Sequence, residues 1–279
     1  VSWLQPSGNK AEIGGAEDDL MRSLCTLLGV LTLLFMSPLT GAAHAQTGDP
    51  LDRAISALKG KFAEKSSVLF SRKTRQGFGS DATLTVVYGK HRFAANAGVR
   101  ASDVAEVSTM GDEPVHFRMI NIGRDTYTQG TWADVPKGKK WLHWQDADGF
   151  LWSQNLVDAL NPKFLRLISR NAEKTSAKGR YDGVSTTRYD GLAEVGLLGS
   201  RQAGIYYGTK DGDWAGGRIK WKLWLGPDNL PRRFQAEIVH EPYGPEQRAD
   251  TVRMNVLYRG WGTPVRIQAP SKNLVAEAG

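Results

Sequence analysis

Three runs in the last third of the chain alternate apolar and polar residues. Ile219, Trp221, Leu223 and Leu225 fall at every second position, then Phe234, Ala236 and Ile238, then Val252, Met254, Val256 and Tyr258. Successive side chains of a strand point to opposite sides, so a period of two puts each set on one face. Gly226-Pro227-Asp228-Asn229 marks the first turn between these runs. The pattern predicts three neighbouring strands sharing one wide apolar face. Such a face is covered by helices, by a second sheet or by a ligand.

Upstream the period changes twice. Asp49-Pro50 reads as an N-cap followed by a first-turn proline, and Leu51, Ile55, Leu58 and Phe62 recur at helical spacing. From Ser67 to Trp144 the period is again two. Leu84, Val86 and Tyr88 alternate with Thr83, Thr85 and Val87, and Val115, Phe117 and Met119 alternate with His116, Arg118 and Ile120, with Gly79-Ser80-Asp81, Gly111-Asp112 and Gly123-Arg124-Asp125 as turns. Between Ser153 and Arg170 helical spacing returns. Leu156, Val157 and Leu160 precede an Asn161-Pro162 break, and Phe164, Leu165 and Ile168 follow it. Two short helices are predicted there, forming a lid over the open side of the sheet, with Lys163, Arg166 and Arg170 at the rim. Strands resume through Thr175 and Tyr181–Tyr189, and a glycine-rich insertion runs from Gly191 to Gly217. The predicted fold class is α+β, an antiparallel sheet with helices over one face, in a single domain spanning residues 46–279. The set predicted to face inward, and so to line any cavity, is Leu84, Val86, Tyr88, Val115, Phe117, Met119, Trp221, Leu223, Phe234, Ile238, Met254 and Val256. Lys220, Lys222, Arg233, Glu237 and Arg253 are predicted outside.

The N-terminal region places this domain. Met21 is followed by Arg22, an apolar stretch from Leu24 to Met36, and Ala43-His44-Ala45, which together read as a secretory signal peptide over residues 21–45. Residues 1–20 read as an extension upstream of the true start. Cleavage near Ala45 predicts an extracytoplasmic product, secreted or held at the cell envelope. Cys25, the single cysteine, lies inside the signal behind Arg-Ser-Leu, so no disulfide, thiol nucleophile or lipid-anchoring motif is expected. Cleavage removes two basic and four acidic residues and raises the formal net charge from +7 to +9. That surplus favours an anionic membrane surface or cell-wall polymer over nucleic acid as a partner.

Catalytic patterns are absent from the sequence. His91, His116, His143 and His240 show no metal-ligand spacing, and no nucleophile elbow, phosphate loop or dinucleotide fingerprint occurs. Asp146-Ala-Asp148-Gly149 begins like a calcium loop, but Phe150 stands where the next oxygen ligand belongs. No metal, no cofactor and no enzymatic activity are expected. Nine tryptophans are present, and Trp141, Trp144 and Trp152 cluster before the predicted helices. They suit either the layer between sheet and helices or a lipid groove.

The order of signal peptide, helix, strands, central helical pair, Tyr181-Asp-Gly-Val-Ser-Thr-Thr-Arg-Tyr189, the stretch from Trp224 to Pro231 and Trp261-Gly-Thr-Pro-Val-Arg-Ile-Gln-Ala-Pro270 resembles the LolA-like proteins of actinobacteria, which are similar to the LppX and LprG lipoproteins. The resemblance implies a curved antiparallel half-barrel whose concave face is covered by helices and encloses a cavity for acyl chains. It further implies a non-enzymatic carrier of lipid or lipoprotein; the chain is expected to be a monomer. An RseB-like envelope sensor that binds a membrane protein is the alternative it leaves open. The glycine-rich insertion and the Trp-rich stretch at 132–152 have no counterpart in the resemblance.

Overall fold

A computed structural model describes residues 49–77, 82–95, 98–110, 113–131, 134–145, 157–194, 217–240 and 251–278. The predicted extension, signal peptide and cleavage position, Leu156, and nearly all of the glycine-rich insertion lie outside these residues. The chain opens with helix α1 (Pro50–Ala63), capped by Asp49, whose side chain accepts from the Leu51 amide at 3.0 Å. Six strands follow in a meander: β1 (Ser67–Gln76), β2 (Thr83–Ala94), β3 (Gly98–Met110), β4 (Glu113–Ile122), β5 (Asp125–Gly130) and β6 (Trp141–Trp144). After helix α2 (Pro162–Ser169) a second meander runs through β7 (Glu173–Tyr181), β8 (Val184–Glu194), β9 (Gly217–Leu225), β10 (Pro231–His240) and β11 (Thr251–Arg259), and the chain ends in β12 (Val275–Glu277).

All twelve strands form one open, curved sheet in the order β12-β6-β5-β4-β3-β2-β1-β11-β10-β9-β8-β7. The two meanders join where β1 pairs with β11, and every pairing is antiparallel except β12 against β6. The fold class is therefore the α+β arrangement the pattern predicted. Asp182 and Gly183, both with positive φ, form the tight turn that divides the Tyr181–Tyr189 motif between β7 and β8.

Both helices lie on one face. Leu51, Ile55, Leu58 and Phe62 of α1, and Phe164, Leu165 and Ile168 of α2, are buried in one core with the inward residues of β8–β11, β1 and β2. Phe164 meets Phe234 of β10 edge-on, with ring centroids 5.9 Å apart. A smaller core forms on the opposite face. There the C-terminal segment lays Ile267 against Ala101, Ile120 and Trp141, with Val265, Leu274 and Val275 at its margin.

Two sequence expectations are corrected. In β2 the inward residues are Val87, Gly89, His91 and Phe93, so Leu84, Val86 and Tyr88 point to the outer face and Tyr88 is 55% exposed. A one-residue slip exchanges the two faces of a strand. Here the phase is set by pairing with β1, where Phe70 and Arg72 face the helices opposite Gly89 and Val87. Gly89 is required at that place, since a β-carbon there would overlap the Phe70 ring. The other correction concerns Pro162. It starts α2 rather than separating two helices: Asn161 is the N-cap, accepting from the Lys163 amide at 2.8 Å, and residues 157–160 form a bridge and a turn. Proline has no amide to lose in the first turn, so the same residue that breaks a helix from within is well placed at its start.

Candidate functional site: the helix-covered face of the sheet

Register traces each row across this face. One row runs Tyr189, Leu223, Phe234, Val256, Arg72, Val87, Glu106 and Phe117, and the next runs Gly191, Trp221, Ala236, Met254, Thr74, Thr85, Ser108 and Val115. From β8 to β11 the rows are apolar and lie under the two helices. Entering β1 they become polar, and at β4 they turn apolar again. The face is thus two-sided in character, with β1 as the boundary.

The apolar half holds most of the sequence-predicted residues. Trp221, Leu223, Phe234, Ile238, Met254 and Val256 are buried there. The expected lid residues Val157, Leu160, Phe164, Leu165 and Ile168 lie over them, equally buried. Gly191 makes room for the Trp221 ring, which a β-carbon at that position would overlap. The Trp221 indole nitrogen is buried with no hydrogen-bond partner among the described residues. On the polar half Val115 and Phe117 share the covered face but are only half-buried, whereas Met119 is fully buried.

The boundary carries titratable groups that alternation by itself does not flag. Arg72 is 3% exposed, and burial pushes its guanidinium down to about 10, against the attraction of Glu106, whose carboxylate lies 4.0 Å away. The guanidinium stays charged at neutral pH. His91 stacks on Phe70 at 4.4 Å, and burial, reinforced by Arg72, holds it near 3, so it is neutral. Asp158, just before α2, is fully buried and accepts from the Leu160 amide at 2.8 Å; burial raises it to about 6 despite that bond. The Tyr258 hydroxyl is buried, has no hydrogen-bond partner among the described residues, and is held well above its usual range by burial, by Asp158 and against the pull of Arg72. Buried polar atoms without partners are uncommon in native interiors, because each forfeits its water bonds. Further along, Thr126 donates to Asn121 and Asn121 to Ser102, both at 2.9 Å, so the far end of the polar half is internally satisfied. The signal that locates Arg72 is its phase. Val68, Phe70, Arg72 and Thr74 share one face of β1, and an arginine on a buried face is exceptional.

The covered face thus joins a closely packed apolar half to a polar boundary at β1. Among the described residues no group of three His, Asp or Glu side chains is placed to hold a metal ion.

No family model matches the chain, and no curated protein does. Similar solved structures include MucB, at 12% identity and a TM-score of 0.33 over 84% of this chain and 64% of that one. Another is the MucA/MucB complex of Pseudomonas aeruginosa, at 11% identity and a TM-score of 0.29 over 74% of this chain and 55% of that one. A LolA superfamily protein from Nitrosomonas europaea is 9% identical, with a TM-score of 0.28 over 77% of this chain and 94% of that one. The chain therefore spans less than two thirds of the length of both MucB structures. Similarity at this level is a likeness in the arrangement of strands and helices, and function is argued from the molecule's own geometry.

Proposed function

We propose that this protein is a non-enzymatic, extracytoplasmic carrier that binds an acylated amphiphile, a lipid or a lipoprotein's lipid moiety, between its sheet and helices. The observation that supports it most is the change of character along single rows of the covered face, from Leu223, Phe234 and Val256 to Arg72 and Glu106. Chains enter the apolar half, and the head group sits at the Arg72 boundary. Each methylene transferred from water contributes about 0.8 kcal/mol, so a long acyl chain supplies ample affinity without covalent chemistry. The segment from Val157 to Ser169 serves as the lid. On the outside an exposed Arg166–Asp52 contact at 3.8 Å ties it to α1, while its apolar side chains fill the space the chain would take.

That filled interior also favours a second reading, an RseB-like sensor whose interior is closed and whose outer surface binds a membrane protein. Native mass spectrometry with lipid extraction of protein purified from its own host separates the two. Stoichiometric acylated ligand supports the carrier. Lipid-free protein that also fails to take up a fluorescent fatty acid, yet binds a purified envelope protein, replaces it with the sensor.

A further inference from the structure

The outer face of the sheet carries what the corrected register of β2 put there. Leu84, Val86 and Tyr88 stand in line on that face, and across the β2–β3 ladder Val86 faces Val107 and Tyr88 faces Ala105. Tyr88 is 55% exposed and Ala105 is exposed, whereas Leu84, Val86 and Val107 are half-buried. Five apolar residues on two adjacent strands thus make one continuous island.

Its borders are basic. On the β1 side Lys73 pairs with Val86 and Arg75 with Leu84, and both are exposed. On the β4 side Arg118 pairs with Ala105. Arg118 reaches Asp103 through two hydrogen bonds of 3.0 and 3.1 Å, and Lys90 meets the same carboxylate at 3.2 Å, so two cations share one acid at that end. The whole chain carries a formal charge of +7.

We propose that this face docks on the surface of an anionic lipid bilayer, with the Tyr88 ring entering the head-group layer and Lys73 and Arg75 lying against lipid phosphates. An aromatic side chain with a polar tip suits the boundary between head groups and acyl chains. Basic side chains beside it gain from the negative surface potential of the membrane. An anionic wall polymer would use the cations but has no use for the aliphatic island, which is why the bilayer is the occupant chosen. The proposal is independent of the interior ligand, since it involves the opposite face of the sheet.

Co-sedimentation with phosphatidylcholine vesicles containing about a third phosphatidylglycerol tests it. The wild-type chain should bind these vesicles at low salt, bind pure phosphatidylcholine vesicles far less, and be released by high salt. Tyr88→Ser, and separately Lys73→Glu with Arg75→Glu, should each lower the affinity at least about tenfold, with unchanged circular dichroism and melting temperature. Lys220→Glu with Lys222→Glu makes the same charge change on the same face three strands away, and should lower it less than about threefold. Equal losses from both charge-reversal pairs would show attraction by net charge alone and overturn the docking face, as would unchanged binding by Tyr88→Ser. Failure of the wild type to bind the anionic vesicles, including the case in which it is retained only on purified anionic wall polymer, overturns the proposal too. Lipid extraction and vesicle binding report on opposite faces, so either can fail while the other stands.

Discussion

The two halves of the covered face are built from the same kind of strand and have opposite consequences. From β8 to β11 the inward positions under the helices are mostly apolar, and Trp221, Leu223, Phe234 and Val256 are fully buried, so burial on this half contributes to folding. From β1 to β4 the same rows carry Arg72, Thr74, Thr85, Glu106 and Ser108, and Val115 and Phe117 are only half-buried. Buried polar groups contribute little net stability compared with apolar burial of the same size. Close apolar packing thus marks one half, and buried polar side chains mark the other.

The contrast can be broken most forcefully at Trp221. Replacing it with alanine should destabilise the protein by about 3–5 kcal/mol, whereas Phe117→Ala on the polar half should cost less than about 2 kcal/mol, because part of that ring is already in water. Denaturant titrations of both variants check this. Equal losses would mean that the polar half is as much core as the apolar one.

Asp158 sharpens the boundary between the halves. Its folded-state value of about 6 lies above the ordinary carboxylate value of 3.8, so the neutral form is favoured in the folded protein, and the stability it contributes is present at low pH and lost as pH rises through about 6. His91 works in the opposite sense. Held near 3, it contributes stability above its ordinary 6.5 that is lost as pH falls. Asp158→Asn removes only the first effect. Relative to wild type, the variant should gain stability by about 2 kcal/mol between pH 4 and pH 7, read from denaturation at several pH values. A difference that does not vary with pH would place Asp158 in contact with water.

Smaller effects test how α2 and the Trp221 ring are seated. Gly191→Ala should cost about 1–3 kcal/mol, since the new methyl would overlap Trp221 and come within 2.8 Å of the Asn171 carbonyl oxygen. Asn161→Ala should cost about 1 kcal/mol by uncapping α2. Under the lid reading, it should also speed uptake of a fluorescent fatty acid. Thermal denaturation and stopped-flow fluorescence would measure the two.

Legibility followed the same division. β9 to β11 were plain because their two phases differ sharply in polarity: Trp221 and Leu223 alternate with Lys220 and Lys222. α1 was plain from its cap and spacing. β2 was not, because both of its phases contain apolar residues, and the more apolar set, Leu84, Val86 and Tyr88, is the outer one. The spacing around Pro162 admits both a helix start and a break, because proline has the same sequence signature in either place.

By itself the sequence determined the local alternatives: which segments extend, which coil, and which strands have one face that cannot remain in water. Those choices depend on residues two, three or four positions apart, and alternation and capping encode them directly. Tertiary structure decided what depends on pairing across long separations. It joined β1 to β11 and so set the phase of β2, brought Arg72, Asp158 and Tyr258 to one boundary, and laid the C-terminal segment over Ile120 and Trp141. No local pattern carries that information, because register between distant strands is fixed only when their side chains pack against one another.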